Sequence, residues 1–176
     1  MFSSLFRNIA VFPFLLSSLL TFISVPAVIE IAKYFGLVDD SSKHKHPAII
    51  HTGIIPRAGG LAIFFGIAIS LVFFLPLSKI LVGIILGILV ILIEGLLDDK
   101  YDLSPYLRIF FDLTAIILVI SGGIGISFIT NPFGGVIMLD TFRISFDLLG
   151  HHSIIVLADL FALIWLFWVT HSVAIS

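Results

Sequence analysis

Residues 80–97 read ILVGIILGILVILIEGLL, a run broken by a single ionisable group, Glu94, and followed at once by Asp98-Asp99-Lys100. A helix needs about 20 apolar residues to cross the hydrocarbon core of a bilayer, and this stretch comes close. Working outward, four more stretches share its character: about Ile9 to Phe35, Gly59 to Leu77, Pro105 to Ile129 and Ser153 to Ile175. Little more than Ser78 and Lys79 separates the second from the third, which predicts a tight helical hairpin. No repeat and no low-complexity linker divides residues 1–176, so a single membrane domain is expected.

Composition supports that reading. Hydrophobic residues make up 60% of the chain and charged ones 11%, with 18 Phe and a mean hydropathy of +1.25. A soluble domain covers itself with charge and is nearer half apolar, so this exterior calls for lipid. A net charge of −2 gives no electrostatic basis for binding nucleic acid. With no cysteine there are no disulfides and no thiolate metal sites. The first apolar stretch follows Arg7 and contains Ser24-Val25-Pro26-Ala27, a tempting cleavage site, but it is longer than the core of a signal peptide. We read it as a retained span.

Lys and Arg set the orientation. Lys33, Lys43, Lys45, Arg57, Lys100 and Arg108 fall on one side, and Arg7, Lys79 and Arg143 on the other. The positive-inside rule then puts the loop around residues 38–58 in the cytoplasm and the N-terminus outside. On the outer side, Phe142, Ile144 and Phe146 alternate with Arg143, Ser145 and Asp147, the period of a strand. Val136 to Leu139 precedes them, with Asp140-Thr141 as the turn. A short β-hairpin between the fourth and fifth helices is expected, entered through Asn131-Pro132-Phe133-Gly134-Gly135. The fold class is thus all-α and polytopic, with about five transmembrane helices and one small hairpin.

The strongest chemical signal is Asp98-Asp99. Acids are disfavoured at a helix C-terminus by roughly 0.3–1 kcal/mol each, so something should compensate them. A hard divalent cation is one candidate. A solvated turn with Lys100 as neighbour is the other, and spacing alone leaves both open. Glu94 lies one turn earlier on the same face; Asp112 lies about two turns into the fourth helix and Asp159 well inside the fifth. Intramembrane acids usually serve a site, yet they also pin helices together. Asp159, far from the cytoplasmic end, suits the pinning role, and Asp112 suits either. Ser104 as N-cap and Pro105 at the first helical position turn the chain back into the membrane soon after the acids.

The second signal is the loop from Asp39 to Gly60, with Lys43, His44, Lys45, His46 and His51 ahead of Pro56-Arg57-Ala58-Gly59-Gly60. Arg57 beside a glycine pair at a helix start offers a phosphate-pairing fork next to exposed N–H groups. Anchoring by positive charge is the plainer reading. His44 and His46 have no partners at zinc spacing. An odd number of spans brings this basic loop and the acidic pair to one membrane face. Cations for phosphates beside carboxylates for a metal is the layout of phosphoryl transfer.

These residues resemble the polyprenyl-phosphate N-acetylhexosamine-1-phosphate transferases, membrane enzymes that begin cell-wall and surface-polysaccharide assembly. His51 with Pro56-Arg57-Ala58-Gly59-Gly60 carries the first motif, and Asp98-Asp99-Lys100-Tyr101-Asp102-Leu103-Ser104-Pro105 with Arg108 carries the second. Asn131-Pro132-Phe133-Gly134-Gly135 is similar as well. The resemblance implies transfer of sugar-1-phosphate from a UDP-N-acetylhexosamine to a polyprenyl phosphate such as undecaprenyl phosphate, with Mg²⁺ as cofactor, in the cytoplasmic membrane. It implies that Asp98 and Asp99 sit at the catalytic centre and hold the metal, while Lys45, His51 and Arg57 contact phosphates. A homodimer is a further expectation.

The sequence also departs from the pattern. Asp112 replaces a Gln or similar residue in the fourth helix, and His171 and Ala174 stand where the fifth helix carries two Asn of a metal-completing motif. Its Asp-Gly would begin past Ser176. The chain therefore looks like the N-terminal half of such an enzyme, expected to be inactive alone. The competing reading is a non-catalytic membrane protein, either a decayed paralogue or a small transporter-like bundle. A transporter would show broken, paired helices with polar groups at mid-membrane, whereas these acids gather at one edge.

Overall fold

The computed structural model describes residues 2–40, 54–141, 143–147 and 151–174. Among them are five α-helices: α1 (Phe2–Phe35), α2 (Gly59–Phe74), α3 (Lys79–Tyr101), α4 (Pro105–Ser121) and α5 (Val156–Ala174). Three antiparallel strand pairs accompany them, β1 (Val38–Asp40) with β2 (Ile54–Pro56), β3 (Phe128–Thr130) with β4 (Val136–Met138), and β5 (Arg143–Asp147) with β6 (His151–Ile155). Two helices are long and apolar enough to cross a membrane, Ala10–Phe35 and Lys79–Tyr101. The apolar stretches Gly59–Phe74 and Val156–Ser172 are shorter.

Local chemistry explains where helices stop. α2 ends at Phe74, ahead of the expected Leu77, because Leu75 precedes Pro76 and takes extended backbone (φ −114°, ψ 143°). Ser78 restarts the helix, its hydroxyl accepting the N–H of Leu81 at 3.2 Å. α3 runs on to Tyr101, so Asp98 and Asp99 lie inside its last turn. α4 stops at Ser121, well short of the expected Ile129: Gly122 and Gly123 follow, the latter at φ 103°.

The segment between α4 and α5 differs from expectation. Two strand pairs stand where one hairpin was predicted. Val136–Met138 pairs back with Phe128–Thr130, and Arg143–Asp147 pairs forward with His151–Ile155. Asn131 to Gly135 is consequently the turn of the first pair. The side chain of Asn131 accepts the N–H of Phe133 at 3.0 Å, and Gly134 (φ 112°) and Gly135 (φ 83°) complete the reversal. Alternation showed the strand at 143–147 but carried no information on its partner.

The chain divides into two compact units. The first, residues 1–77 with 88–108, has a core of Val28, Ala32, Leu37, Ala58 and Ala62, against which Leu61 and Leu96 pack. Ala58, Ala62, Gly66 and Ser70 are buried at a strict spacing of four, one ridge of α2. Any Cβ on Gly66 would strike Thr21 Oγ1 and lie 2.5 Å from the Ser17 carbonyl, so the backbones of α1 and α2 approach closely there. Ser70 donates to the Pro13 carbonyl at 3.0 Å. The second unit, residues 78–87 with 109–176, uses the same device. Cβ atoms on Gly83 and Gly87 would lie 2.9 Å from Leu118 O and 3.1 Å from Ala115 O, drawing the start of α3 onto α4.

Candidate functional site

Backbone hydrogen bonds help position Arg57. α1 ends at Gly36 (φ 70°), with Leu37 N–H returning to Ala32 O at 2.8 Å. The β1–β2 pair brings the chain back to the same place, and Arg57 N–H donates to Leu37 O at 2.9 Å. Ala58 is buried beside it and has no side chain with which to cap α2. The guanidinium therefore stands at the head of α2, where the glycine pair begins the helix.

A groove of about 230 Å³ lies between α2 and the C-terminal half of α3, within the first unit. Phe64 and Ile67 from α2 and Ile88 and Leu92 from α3 contribute to its apolar walls, and Arg57 and Asp99 also line it. The two helices run in opposite directions, Gly60 facing Leu92, so Arg57 and Asp99 share one end of the groove. Ile67 and Ile88 are at the other. At 1.5 Å per residue the groove runs about 15 Å from its charged end to its far end. Arg57 attracts the Asp99 carboxylate and Asp98 repels it.

The two adjacent acids are not equivalent. Oδ1 of Asp98 accepts from Arg108 Nη2 at 2.7 Å and from the Leu103 N–H at 3.0 Å. Asp102, held at φ 49°, donates its N–H to the Asp98 carbonyl at 2.9 Å and lies 3.4 Å from Arg108 Nη2. Asp98 thus ties the turn from α3 to α4, while Asp99 faces the groove. The compensation that an acid at a helix C-terminus requires is supplied for Asp98 by the Arg108 guanidinium, while Asp99 shares the groove mouth with Arg57. Sequence marked both arginines but not this division of labour.

Lys45 and His51, like His44 and His46, lie outside the described residues. Glu94 is half-buried on α3. Asp159 is in the first turn of α5, a correction to its expected place well inside the helix, because β6 occupies the residues before Val156. Its Oδ2 accepts the Ile155 N–H at 2.9 Å, the role of an acid at a helix start. Asp112 is buried in α4, with His171 Nε2 at 3.7 Å from its Oδ2. Among the described residues, no three His, Asp or Glu side chains gather into a metal cage.

A cation and an anion thus lie together at one end of an apolar groove. Comparison with known proteins makes this specific. The chain is 36% identical over 121 residues, 68% of its length, to the Bacillus subtilis (strain 168) protein named "Probable undecaprenyl-phosphate N-acetylglucosaminyl 1-phosphate transferase", of which it covers 33%. It is 33% identical over 116 residues to the Pasteurella multocida undecaprenyl-phosphate alpha-N-acetylglucosaminyl 1-phosphate transferase, covering 62% of this chain and 30% of that one. With the Escherichia coli O157:H7 protein of the same name the figures are 28% over 109 residues, 60% and 28%. By these matches the chain belongs to the undecaprenyl-phosphate N-acetylglucosaminyl 1-phosphate transferase family, and it spans about a third of the length of the curated relatives it matches. No family model matches it, and no solved structure does.

Proposed function

We propose that this chain is part of a multi-pass enzyme of the cytoplasmic membrane that moves N-acetylhexosamine-1-phosphate from a UDP-sugar to a polyprenyl phosphate. The observation that carries it is the groove: a polyprenyl phosphate is an anion on a long apolar tail, and Arg57 heads an apolar channel of matching character. Arg57 receives the lipid phosphate by charge-assisted hydrogen bonds. The prenyl chain lies along Phe64, Ile67, Ile88 and Leu92. Lys45 and His51 contact the phosphates of the UDP-sugar. The reaction joins the lipid phosphate oxygen to the sugar-bearing phosphorus, and the bond to UMP breaks. Asp99, which lines the same groove mouth, keeps the Arg57 guanidinium turned toward the attacking phosphate.

Mg²⁺ fits the donors present. This ion takes one or two carboxylates and completes its shell with waters and substrate phosphates, so a three-carboxylate cage is not required. Asp99 and the second oxygen of Asp98 would hold it. When bound it supplies charge neutralisation on the diphosphate.

Several apolar side chains support a lipid surround, among them Phe12 at 62%, Phe22 at 77% and Trp168 at 62% exposure. The positive-inside balance orients the groove mouth to the cytoplasm, with the N-terminus outside. The homodimer stays a proposal within this reading.

The test is a chimaera in which this chain replaces the matching third of the Bacillus subtilis relative. With labelled UDP-N-acetylglucosamine, undecaprenyl phosphate and Mg²⁺, membranes carrying it should release UMP, and undecaprenol should not substitute for the phosphate. A chimaera that inserts stably yet transfers nothing would favour the non-catalytic reading. The 176-residue chain alone is expected to give no measurable transfer.

A further inference from the structure

The two membrane-length helices, Ala10–Phe35 and Lys79–Tyr101, carry the same pair of residues at their C-terminal ends, Lys33-Tyr34 in one and Lys100-Tyr101 in the other. The chain has three tyrosines, and the third, Tyr106, follows in the first turn of α4. All three belong to the first unit, and the fold brings them to one end of it. Leu96, near the end of α3, packs on the core of Ala32, Leu37 and Ala58, where α1 ends and α2 begins. The Asp98–Arg108 ion pair holds the start of α4 to the same turn. The three rings project outward, Tyr34 at 85%, Tyr101 at 63% and Tyr106 at 85% exposure. At the opposite end of α2 the exposed rings are Phe73 and Phe74, which have no polar tip. A tyrosine joins an apolar body to a polar tip, so it favours the boundary between headgroups and acyl chains. A lysine beside it keeps its stem in the apolar layer and its ammonium in water. Lys33 pairs with Glu30 at 3.1 Å, and Lys100 lies over the Tyr101 ring at 5.4 Å. The rings rather than net charge therefore define this surface, and it calls for no anionic lipid.

We propose that Tyr34, Tyr101 and Tyr106 form an interfacial belt that seats this end of the unit in the headgroup layer of the bilayer and so sets the depth of the groove mouth. The Arg57 N–H meets the carbonyl of Leu37, just past Tyr34, so the mouth lies level with the belt. A phosphate at Arg57 is then at the height of the lipid phosphates, while the apolar groove descends into hydrocarbon. An acceptor lipid reaches the mouth without leaving the bilayer. The belt rests on the membrane part of the proposed function and not on transfer. Phe22, exposed on α1, lies about 18 Å along the helix from Tyr34, near the midplane of a hydrocarbon core about 30 Å thick.

The chain has no cysteine, so Phe22→Cys, Tyr34→Cys, Tyr101→Cys and Tyr106→Cys, made singly, each carry one nitroxide label. The 176-residue chain is reconstituted in phosphatidylcholine vesicles, and depth is read from the access of oxygen against that of a water-soluble nickel chelate. Labels at 34, 101 and 106 should fall within the interfacial layer, about 5–8 Å thick, and the label at 22 about 15 Å deeper. With 22 deep, labels at the other three positions in open water or in hydrocarbon would overturn the belt and leave the membrane reading intact. All four in water would overturn both. Tyr101→Leu with Tyr106→Leu replaces two exposed rings and removes no core contact. That change should let the label at 34 sink toward hydrocarbon, and an unmoved label would show that the tyrosines do not set the depth. Dipolar broadening between labels on neighbouring copies would assign the surface to a second copy of the chain instead.

Discussion

The two faces of α2 put opposite principles to use over the same 16 residues. One face carries Ala62, Gly66 and Ser70, all buried and in line with Ala58 just ahead of the helix, and lets α1 come within backbone contact. The neighbouring face carries Ile63, Phe64 and Ile67, larger side chains that line an open groove toward α3. Small residues in a row close a helix pair, since nothing stands between the backbones. Large residues flanking a charged mouth leave room for a third component. The closed face holds the unit together and the open face is free to bind. Mean hydropathy does not distinguish them, because both are apolar.

The largest effect that sharpens this contrast belongs to the groove mouth. In the active chimaera, Asp99→Asn should lower transfer by about 10²–10³-fold, the scale for removing one preorganised electrostatic group. Asp98→Asn should also be slow, through loss of the Arg108 ion pair and of a proposed metal ligand, and Arg108→Gln should reproduce only the part that comes from the ion pair. Turnover of Asp99→Asn equal to wild type would remove the groove mouth from the chemistry.

Next comes the closed face. Gly66→Val should destabilise the chain by about 2–3 kcal/mol, the scale of overpacking, since the new side chain meets Thr21 and the Ser17 carbonyl. A detergent melt reads this directly. An unchanged midpoint would mean that α1 and α2 part easily and that the contrast between the faces is weaker than their geometry suggests. On the open face, Ile67→Trp should leave the midpoint near wild type while raising the KM for the lipid acceptor about tenfold, some 1.4 kcal/mol. A drop in kcat with no change in KM would place the prenyl chain elsewhere.

These faces also show how far the sequence could be read. Helices, the Asp98-Asp99 edge and Arg57 at a helix start were legible, because apolar run length and local charge are one-dimensional signals. The β1–β2 pairing that places Arg57 was not, since its two strands are three residues each and carry no alternation to detect. Nor could spacing separate Asp98 from Asp99: adjacent residues on a helix point about 100° apart, and only the fold reveals which direction meets Arg108 and which the groove. Gly122-Gly123 could have warned that α4 ends early, and Asp159 is at a helix start only because 151–155 pair as a strand. Gly83 and Gly87 meet the backbone of α4, a pairing that no local signal in the sequence discloses.

The smallest prediction tests what closes the buried face, packing or hydrogen bonding. Ser70 gives its hydroxyl proton to the Pro13 carbonyl at 3.0 Å, a bond between α2 and α1. Ser70→Ala keeps the residue small, so the backbones stay as close, and removes only that bond. Pro13 lies within α1, where its carbonyl can also accept the ordinary helical bond from Ser17. The lost partner therefore leaves no orphaned acceptor, and the cost should be about 0.6 kcal/mol, the average for interhelical side-chain hydrogen bonds in a membrane protein. Ser70→Leu keeps no such closeness and should cost several times more. If Ser70→Ala and Ser70→Leu were equally damaging, the hydrogen bond would be what closes this face, and the spacing of four small residues would lose its explanation. A small loss for Ala beside a large one for Leu would place the stability in backbone proximity, the property the groove face of the same helix lacks.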